Sequence, residues 1–232
     1  IYPFRDDLLV NFTLCGLVII GGLGFVVTSE LFKRRSFEKI STHSKLVLSL
    51  TAILLAVGTL GFFILEKDGG VLVGEGLGAS LTESFFQSTV ARTAGFYSVK
   101  LENIKDSTAL LLAGLMFIGG SPGSTAGGIK TTTFGVLILS TLAVIRGEDE
   151  PVLFKRHIGA DTVRKALAIF AVSVTIILSV SFILTITEKA GLVEIFYETV
   201  SALATVGASM GMTPNLSNIG KILITICMYL GR

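Results

Sequence analysis

Two short segments hold residue types that suit the handling of a bare cation, Thr93-Ala94-Gly95-Phe96 and Thr205-Val206-Gly207-Ala208. Glycine tolerates backbone angles closed to other residues, so Gly95 lets consecutive carbonyl oxygens turn toward a common axis, where they can replace the water around an ion. A Thr-x-Gly triplet alone means little, since it occurs by chance in many proteins. Here it recurs in register: the step from Thr93 to Thr205 also aligns Leu115-Met116-Phe117-Ile118-Gly119-Gly120 with Cys227-Met228-Tyr229-Leu230-Gly231-Arg232.

Both copies follow a short aromatic, polar-tipped stretch, Glu83-Ser84-Phe85-Phe86-Gln87 and Ile195-Phe196-Tyr197-Glu198-Thr199. Residues 80–92 are too short and too polar to cross a bilayer, and Ser80-x-x-Glu83 predicts a capping box opening a helix there. The C-terminus of such a helix carries partial negative charge, which favours a cation at the segment that follows. By the repeat, 193–204 is the second such helix. Phe85, Phe86, Phe196 and Tyr197 read as packing around these helices.

The surrounding chain reads as lipid-embedded. Of 232 residues, 51% are apolar and 16% charged, against about 25% charge in an ordinary soluble domain. A net charge of +2 with no long basic block excludes a nucleic-acid partner. Three charge-free stretches have the length a bilayer needs, 11–29, 46–65 and 166–187, and a further span starts near Ile219. Cys15 and Cys227 lie inside apolar runs and read as packing residues.

From Ser107 to Ile145 the only charge is Lys130, yet one straight helix over 107–145 would be about 58 Å long, nearly twice the hydrocarbon core. It must break, and Gly119-Gly120-Ser121-Pro122-Gly123-Ser124-Thr125-Ala126-Gly127-Gly128 supplies five glycines and a proline in ten residues. Irregular backbone at membrane depth survives only when buried in protein or lining water, so this break points to a pathway. Lys130 lies too deep to reach the inner surface easily and is assigned to the loop or a cavity.

Leu17-Val18-Ile19-Ile20-Gly21-Gly22 also matches Leu115 to Gly120, so 11–32 is a third copy of the span after the loop. There the glycine pair reads as helix packing. Spans 46–65 and 166–187 both end in Glu-Lys, at Glu66-Lys67 and Glu188-Lys189. The step from Gly95 to Gly119 equals that from Gly207 to Gly231, and the same step taken back from Gly21 places a further Thr-x-Gly near position −3. The chain therefore reads as a piece of something longer.

Basic residues in short loops mark the cytoplasmic side, which assigns loops 33–45 and 146–165 to the inside and both Thr-x-Gly segments to the outside. The outer segments then hold 7 basic and 11 acidic residues, an excess that modestly enriches cations. Other chemistries fail on spacing. The glycine-rich loop has Ile129 where a phosphate loop needs lysine, His43 and His157 fall in loops away from any serine at span depth, and no His, Cys or acidic cluster lies within the spans.

Taken together, Thr89 to Phe96, Gly119 to Thr131, Thr205-Val206-Gly207 and Tyr229-Leu230-Gly231-Arg232 resemble the Trk/Ktr/HKT superfamily of potassium transporters, in particular the membrane subunit of bacterial Ktr-type systems. The resemblance implies an all-α integral membrane protein of repeated, potassium-channel-like span–pore helix–span units around one pore, with a broken second span in unit three. Residues 1–40 would hold the second span of unit two and a cytoplasmic loop, 41–160 unit three, and 161–232 unit four up to a truncated second span, so that this polypeptide alone would not close a pore. It further implies potassium filters at 93–96 and 205–208, a gating loop at 119–130, and Arg232 as a pore-facing electrostatic barrier. Arg92 would brace the filter loop by hydrogen bonds. The transported ion would be K+, with a Na+-permeable member of the superfamily or a non-conducting scaffold as alternatives. The implied partners are a second copy in a homodimer, a cytosolic ring of nucleotide-binding regulatory subunits, and the lipid of the plasma membrane.

Overall fold

The computed structural model describes residues 4–5, 7–34, 36–148, 150–154 and 156–232. Arg35 and Lys155, two of the basic residues used to orient the chain, lie outside the described residues. The helices are α1 (Leu8–Leu23), α2 (Phe25–Arg34), α3 (Thr42–Lys67), α4 (Leu77–Val90), α5 (Asp106–Phe117), α6 (Thr131–Arg146), α7 (Ala160–Thr187), α8 (Leu192–Leu203) and α9 (Asn218–Leu230). By length and composition, α3 and α7 are the two helices among the described residues able to cross a bilayer. Both expose large apolar side chains such as Ile64, Leu178 and Phe182, a surface that suits lipid rather than water.

The repeat is visible in the helices. α5 and α9 begin at matching places in it, at Asp106 and Asn218, and each leads to a glycine-containing break. Residues 107–145 divide as expected into α5 and α6 around an irregular segment. Each of these two spans is tied by a carboxylate at its end to the helix after next, α3 to α5 and α7 to α9. Glu66 accepts the Lys105 amide at 3.0 Å and Glu188 accepts the Ser217 amide at 3.0 Å, where Lys105 and Ser217 are the N-cap residues of α5 and α9. Glu30, in α2, likewise accepts the amide of Ser41, the N-cap of α3, at 3.1 Å. Such contacts satisfy backbone donors that every helix N-terminus leaves free and place negative charge at the positive end of the dipole. They account for the recurrent glutamate at the two span ends.

Three expectations are corrected. The charge-free stretch 11–29 is not one straight span, because α1 and α2 meet at Gly24 with a bend of 100°. Gly24 has φ +80°, and a side-chain carbon there would fall 2.8 Å from Ser121 Oγ, so the bend belongs to a contact with the distant glycine-rich loop. The capping box at Ser80 and Glu83 does not form: α4 starts a turn earlier with Gly76 as N-cap, and ends at Val90 rather than at 92. The chain is also not purely helical. In loop 146–165, β1 (Val152–Leu153) pairs antiparallel with β2 (Arg156–His157). Lys45 Nζ sits 5.9 Å from the Phe37 ring and 5.8 Å from the Phe154 ring, which joins the two basic loops at one end of the molecule.

The core gathers around the short helices. α8 packs against α5, α7 and α9, and α4 against α3 and α1. Phe86 and Tyr197 are fully buried, Phe85 and Phe196 partly so, and both cysteines are buried and free, as packing residues should be. α4 also buries Ser84, Gln87, Ser88 and Thr89, an unusual load of polar groups that must find partners inside.

Candidate functional site

The two Thr-x-Gly segments turn at the ends of α4 and α8 with the same pattern of positive φ at threonine and glycine, closed by hydrogen bonds of different span. After Val90, the Ala94 amide donates to the Val90 carbonyl at 3.1 Å; after Leu203, the Val206 amide donates to the Ser201 carbonyl at 2.9 Å. Thr93 has φ +75° and Gly95 φ +68°, while Thr205 has φ +53° and Gly207 φ +84°. Positive φ is a genuine outlier for a β-branched residue, and among the described residues only Phe154 otherwise shows it outside glycine. Two threonines at matching places in the repeat thus carry the same strain, a feature that concentrates where function demands it. Left-handed residues two apart stop the side-to-side alternation of an ordinary strand, whose peptide groups would otherwise point in opposite directions.

These turns also meet. A side-chain carbon built on Gly95 would lie 2.4 Å from the Val206 carbonyl oxygen, and one on Gly207 would lie 3.9 Å from the Gly95 Cα. Both turns sit at helix C-termini, where partial negative charge collects. Ala94 is half-buried and Ala208 buried, while Phe96 and Gly207 are exposed.

The glycine-rich segment closes on itself and then reaches both ways. Gly119 donates to Ile129 O at 2.9 Å, Ile129 to Phe117 O at 3.2 Å and Thr131 to Gly120 O at 3.0 Å, so its ends are pinned together. On one side Ser121 donates its amide to Gly22 O at 2.9 Å and its hydroxyl to Leu23 O, and Gly123 O accepts the Phe25 amide at 3.4 Å. Gly21 and Gly22 therefore meet this loop rather than serving a helix–helix seam. On the other side Gly128 donates to Gly231 O at 3.4 Å and Arg232 Nη1 to Thr125 O at 2.7 Å. The middle of the loop lies against the end of α8: a side-chain carbon on Gly127 would fall 2.7 Å from Ala204 O and 2.1 Å from Thr205 Oγ1. The repeated glycines Gly22, Gly119 and Gly231 thus all meet at the glycine-rich segment, whose middle lies against one of the Thr-x-Gly turns.

Ser124 donates its amide to Ser121 O and accepts that of Ala126, keeping Pro122 and Thr125 at the apex of a tight turn. Lys130 is the N-cap of α6, and its ammonium donates to the Ala126 carbonyl. Lys130 and Arg232 line one recess of about 390 Å³ with Gly128, Ile176 and Leu203. Two cations therefore share one side of the loop, with main-chain oxygens as their partners. Arg92 does not match its expected role as a hydrogen-bonded brace: its side chain is buried beside α1 and its Nε has no partner.

The residues missed from sequence are the braces behind the turns. Glu83, 4% exposed, accepts Ser98 Oγ at 2.5 Å and Gln87 Nε2 at 2.9 Å, and Arg5 Nε reaches its other oxygen at 3.3 Å. Glu198, 6% exposed, accepts Ser209 Oγ at 2.7 Å and also the Thr213 hydroxyl. A polar-tipped stretch before each turn was visible in the sequence, but not which atoms it would hold.

A family model described as TrkH, cation transport protein, matches residues 1–232. The chain is 42% identical over 232 residues to the Ktr system potassium uptake protein B of Vibrio alginolyticus, covering 99% of this chain and 51% of that protein. It is 40% identical over 220 residues to the potassium/sodium uptake protein NtpJ of Enterococcus hirae, covering 93% of this chain and 49% of that one. The chain spans about half the length of the curated relatives it matches. Among solved structures, the potassium transporter TrkH of Vibrio parahaemolyticus superposes with a TM-score of 0.77 at 16% identity, over 96% of this chain and 49% of the other. At that identity the likeness is one of fold.

Proposed function

The chain belongs to the TrkH cation transport protein family, and from that membership we propose that it forms part of a membrane protein that takes up potassium through a central pore. The carrying observation is the pair of strained Thr-x-Gly turns that end α4 and α8 and meet at Gly95 and Val206. Thr93 to Phe96 and Thr205 to Ala208 are two of the filters; their main-chain oxygens strip and replace the water of a monovalent cation, helped by the two helix C-termini. Glycine at both filters favours potassium.

The segment 119–130 gates the path on the inner side of the filters, and Arg232 and Lys130 raise an electrostatic barrier there. The bond from Arg232 to Thr125 O supports a coupling between barrier and gate. Filters face outward, and loops 33–45 and 146–165 face the cytoplasm of a plasma-membrane protein. Those loops are the proposed contacts for a ring of nucleotide-binding regulatory subunits beneath a homodimer. A second reading, in which sodium also passes, is favoured by the 40% identity to a potassium/sodium uptake protein.

The test is growth rescue of a potassium-uptake-deficient strain by the full-length protein, with Gly95→Ser as the control. Rescue by the unaltered protein and loss of potassium-over-sodium preference in the substituted one is the expected result. A substituted protein that restores growth with its preference intact overturns the filter assignment. Sodium uptake in potassium-free medium separates the two readings.

A further inference from the structure

Each filter turn is followed by a stretch of chain that must leave the pore without dragging the turn with it. In both units a buried carboxylate on the short helix holds that exit stretch by hydroxyl groups. Glu83 takes Ser98 Oγ at 2.5 Å, and Gln87 Nε2 donates to the same hydroxyl at 3.1 Å. Glu198 takes the Ser209 hydroxyl at 2.7 Å and the Thr213 hydroxyl, and these two hydroxyl oxygens lie 2.8 Å apart.

The two braces are built in different registers. Glu83 stands farther ahead of Gly95 than Glu198 does of Gly207, by three positions. That difference is close to one helical turn, so both carboxylates occupy the same face of their helices although the internal repeat aligns neither with the other. A carboxylate is costly to bury unless its oxygens are used, and the same outcome reached through different positions points to a demand of the site. Glu83 is balanced by Arg5; among the described residues no basic group pairs with Glu198, which relies on hydroxyl donors alone.

We propose that Glu83 and Glu198 are positioning residues for ion preference: by fixing the exit stretch against the pore helix, each holds its filter open to the size that suits a large monovalent cation over a smaller one. This rests on the filter reading above. A turn already strained at a threonine collapses or widens when its far end is released, and a cage that can shrink accepts sodium. Replacing the carboxylate frees two donors on the exit stretch in unit four and one in unit three.

The experiment uses the full-length protein in uptake-deficient cells, with surface abundance measured for every variant. Glu198→Ala is expected to strengthen sodium competition against potassium uptake by about fivefold or more while the maximal potassium rate per molecule changes much less. Glu198→Gln, which keeps an acceptor oxygen, restores part of the preference. Ser209→Ala, a small change outside the filter turn, moves the preference in the same direction and serves where Glu198→Ala fails to reach the membrane. Unchanged sodium competition in Ser209→Ala together with any surface-expressed Glu198 variant overturns the proposal. If in the same assay Gly95→Ser abolishes preference, the braces alone are refuted; if it too is silent, the filter reading falls with them.

Discussion

The backbone of Gly95 lies against that of Val206, so close that a single added carbon on Gly95 would sit 2.4 Å from the Val206 oxygen. Gly207, from the matching place in the repeat, has more room, with 3.9 Å to the nearest atom. Both have positive φ, so alanine at either costs about 1–2 kcal/mol of backbone strain. Gly95→Ala must in addition push the neighbouring turn aside. Thermal unfolding of the purified full-length protein is expected to rank Gly95→Ala below Gly207→Ala, and a reversed order would mean that the two turns do not touch.

Arg232 holds the glycine-rich loop by a charge-assisted bond to Thr125 O, an exposed contact that solvent screening limits to about 1 kcal/mol or less. Arg232→Gln is expected to raise the maximal potassium flux with little change in the concentration for half-maximal uptake. Shortening 119–128 acts the same way. Unchanged flux at normal expression in both would place the gate elsewhere.

Ser121 supplies two of the bonds that hold the bend at Gly24, to the carbonyls of Gly22 and Leu23. Ser121→Ala keeps the amide but leaves the Leu23 carbonyl unpaired in a buried place, a loss of about 1–3 kcal/mol. Hydrogen exchange at the Gly24 junction should speed up while exchange in α8 stays slow, since α8 shares no bond with Ser121.

Hydrogen bonds from Ser217 hold the Glu188 carboxyl below its usual pKa, chiefly through the serine hydroxyl. A carboxyl with a depressed folded pKa adds stability above its unfolded value and loses it as pH falls through the folded one. Glu188→Gln is therefore expected to lower thermal stability modestly at neutral pH, with the gap to the unaltered protein closing in acid. A gap that stays constant from neutral pH down into the carboxylate range would show that Glu188 does not cap α9 through its charge.

The spans 46–65 and 166–187 were legible because lipid imposes a length and removes charge, a constraint written in consecutive residues. The Thr-x-Gly turns and the glycine-rich break were legible because they repeat, and the repeat survives as matched identities at fixed offsets. The bend at Gly24 was not. Gly24 follows Gly21-Gly22 in an apolar run that the glycines alone leave compatible with a straight helix, and here the bend is held by Ser121, far from Leu23 in the chain. Glu83 was misread for a related reason: Ser80 and Glu83 have the spacing of a cap, yet in the folded chain Glu83 bonds Ser98 and Arg5 instead.

What the sequence determined by itself is the set of parts: which stretches lipid can hold, where a helix must stop, and which short segments recur. Tertiary structure alone decided how those parts meet, namely the contact of Gly95 with Val206, the repeated glycines Gly22, Gly119 and Gly231 gathered at one loop, and the carboxylates braced in two registers. The physical reason is that helix length and glycine freedom are properties of neighbouring residues. A hydrogen bond between distant backbones depends on three-dimensional closure and leaves no spacing to read.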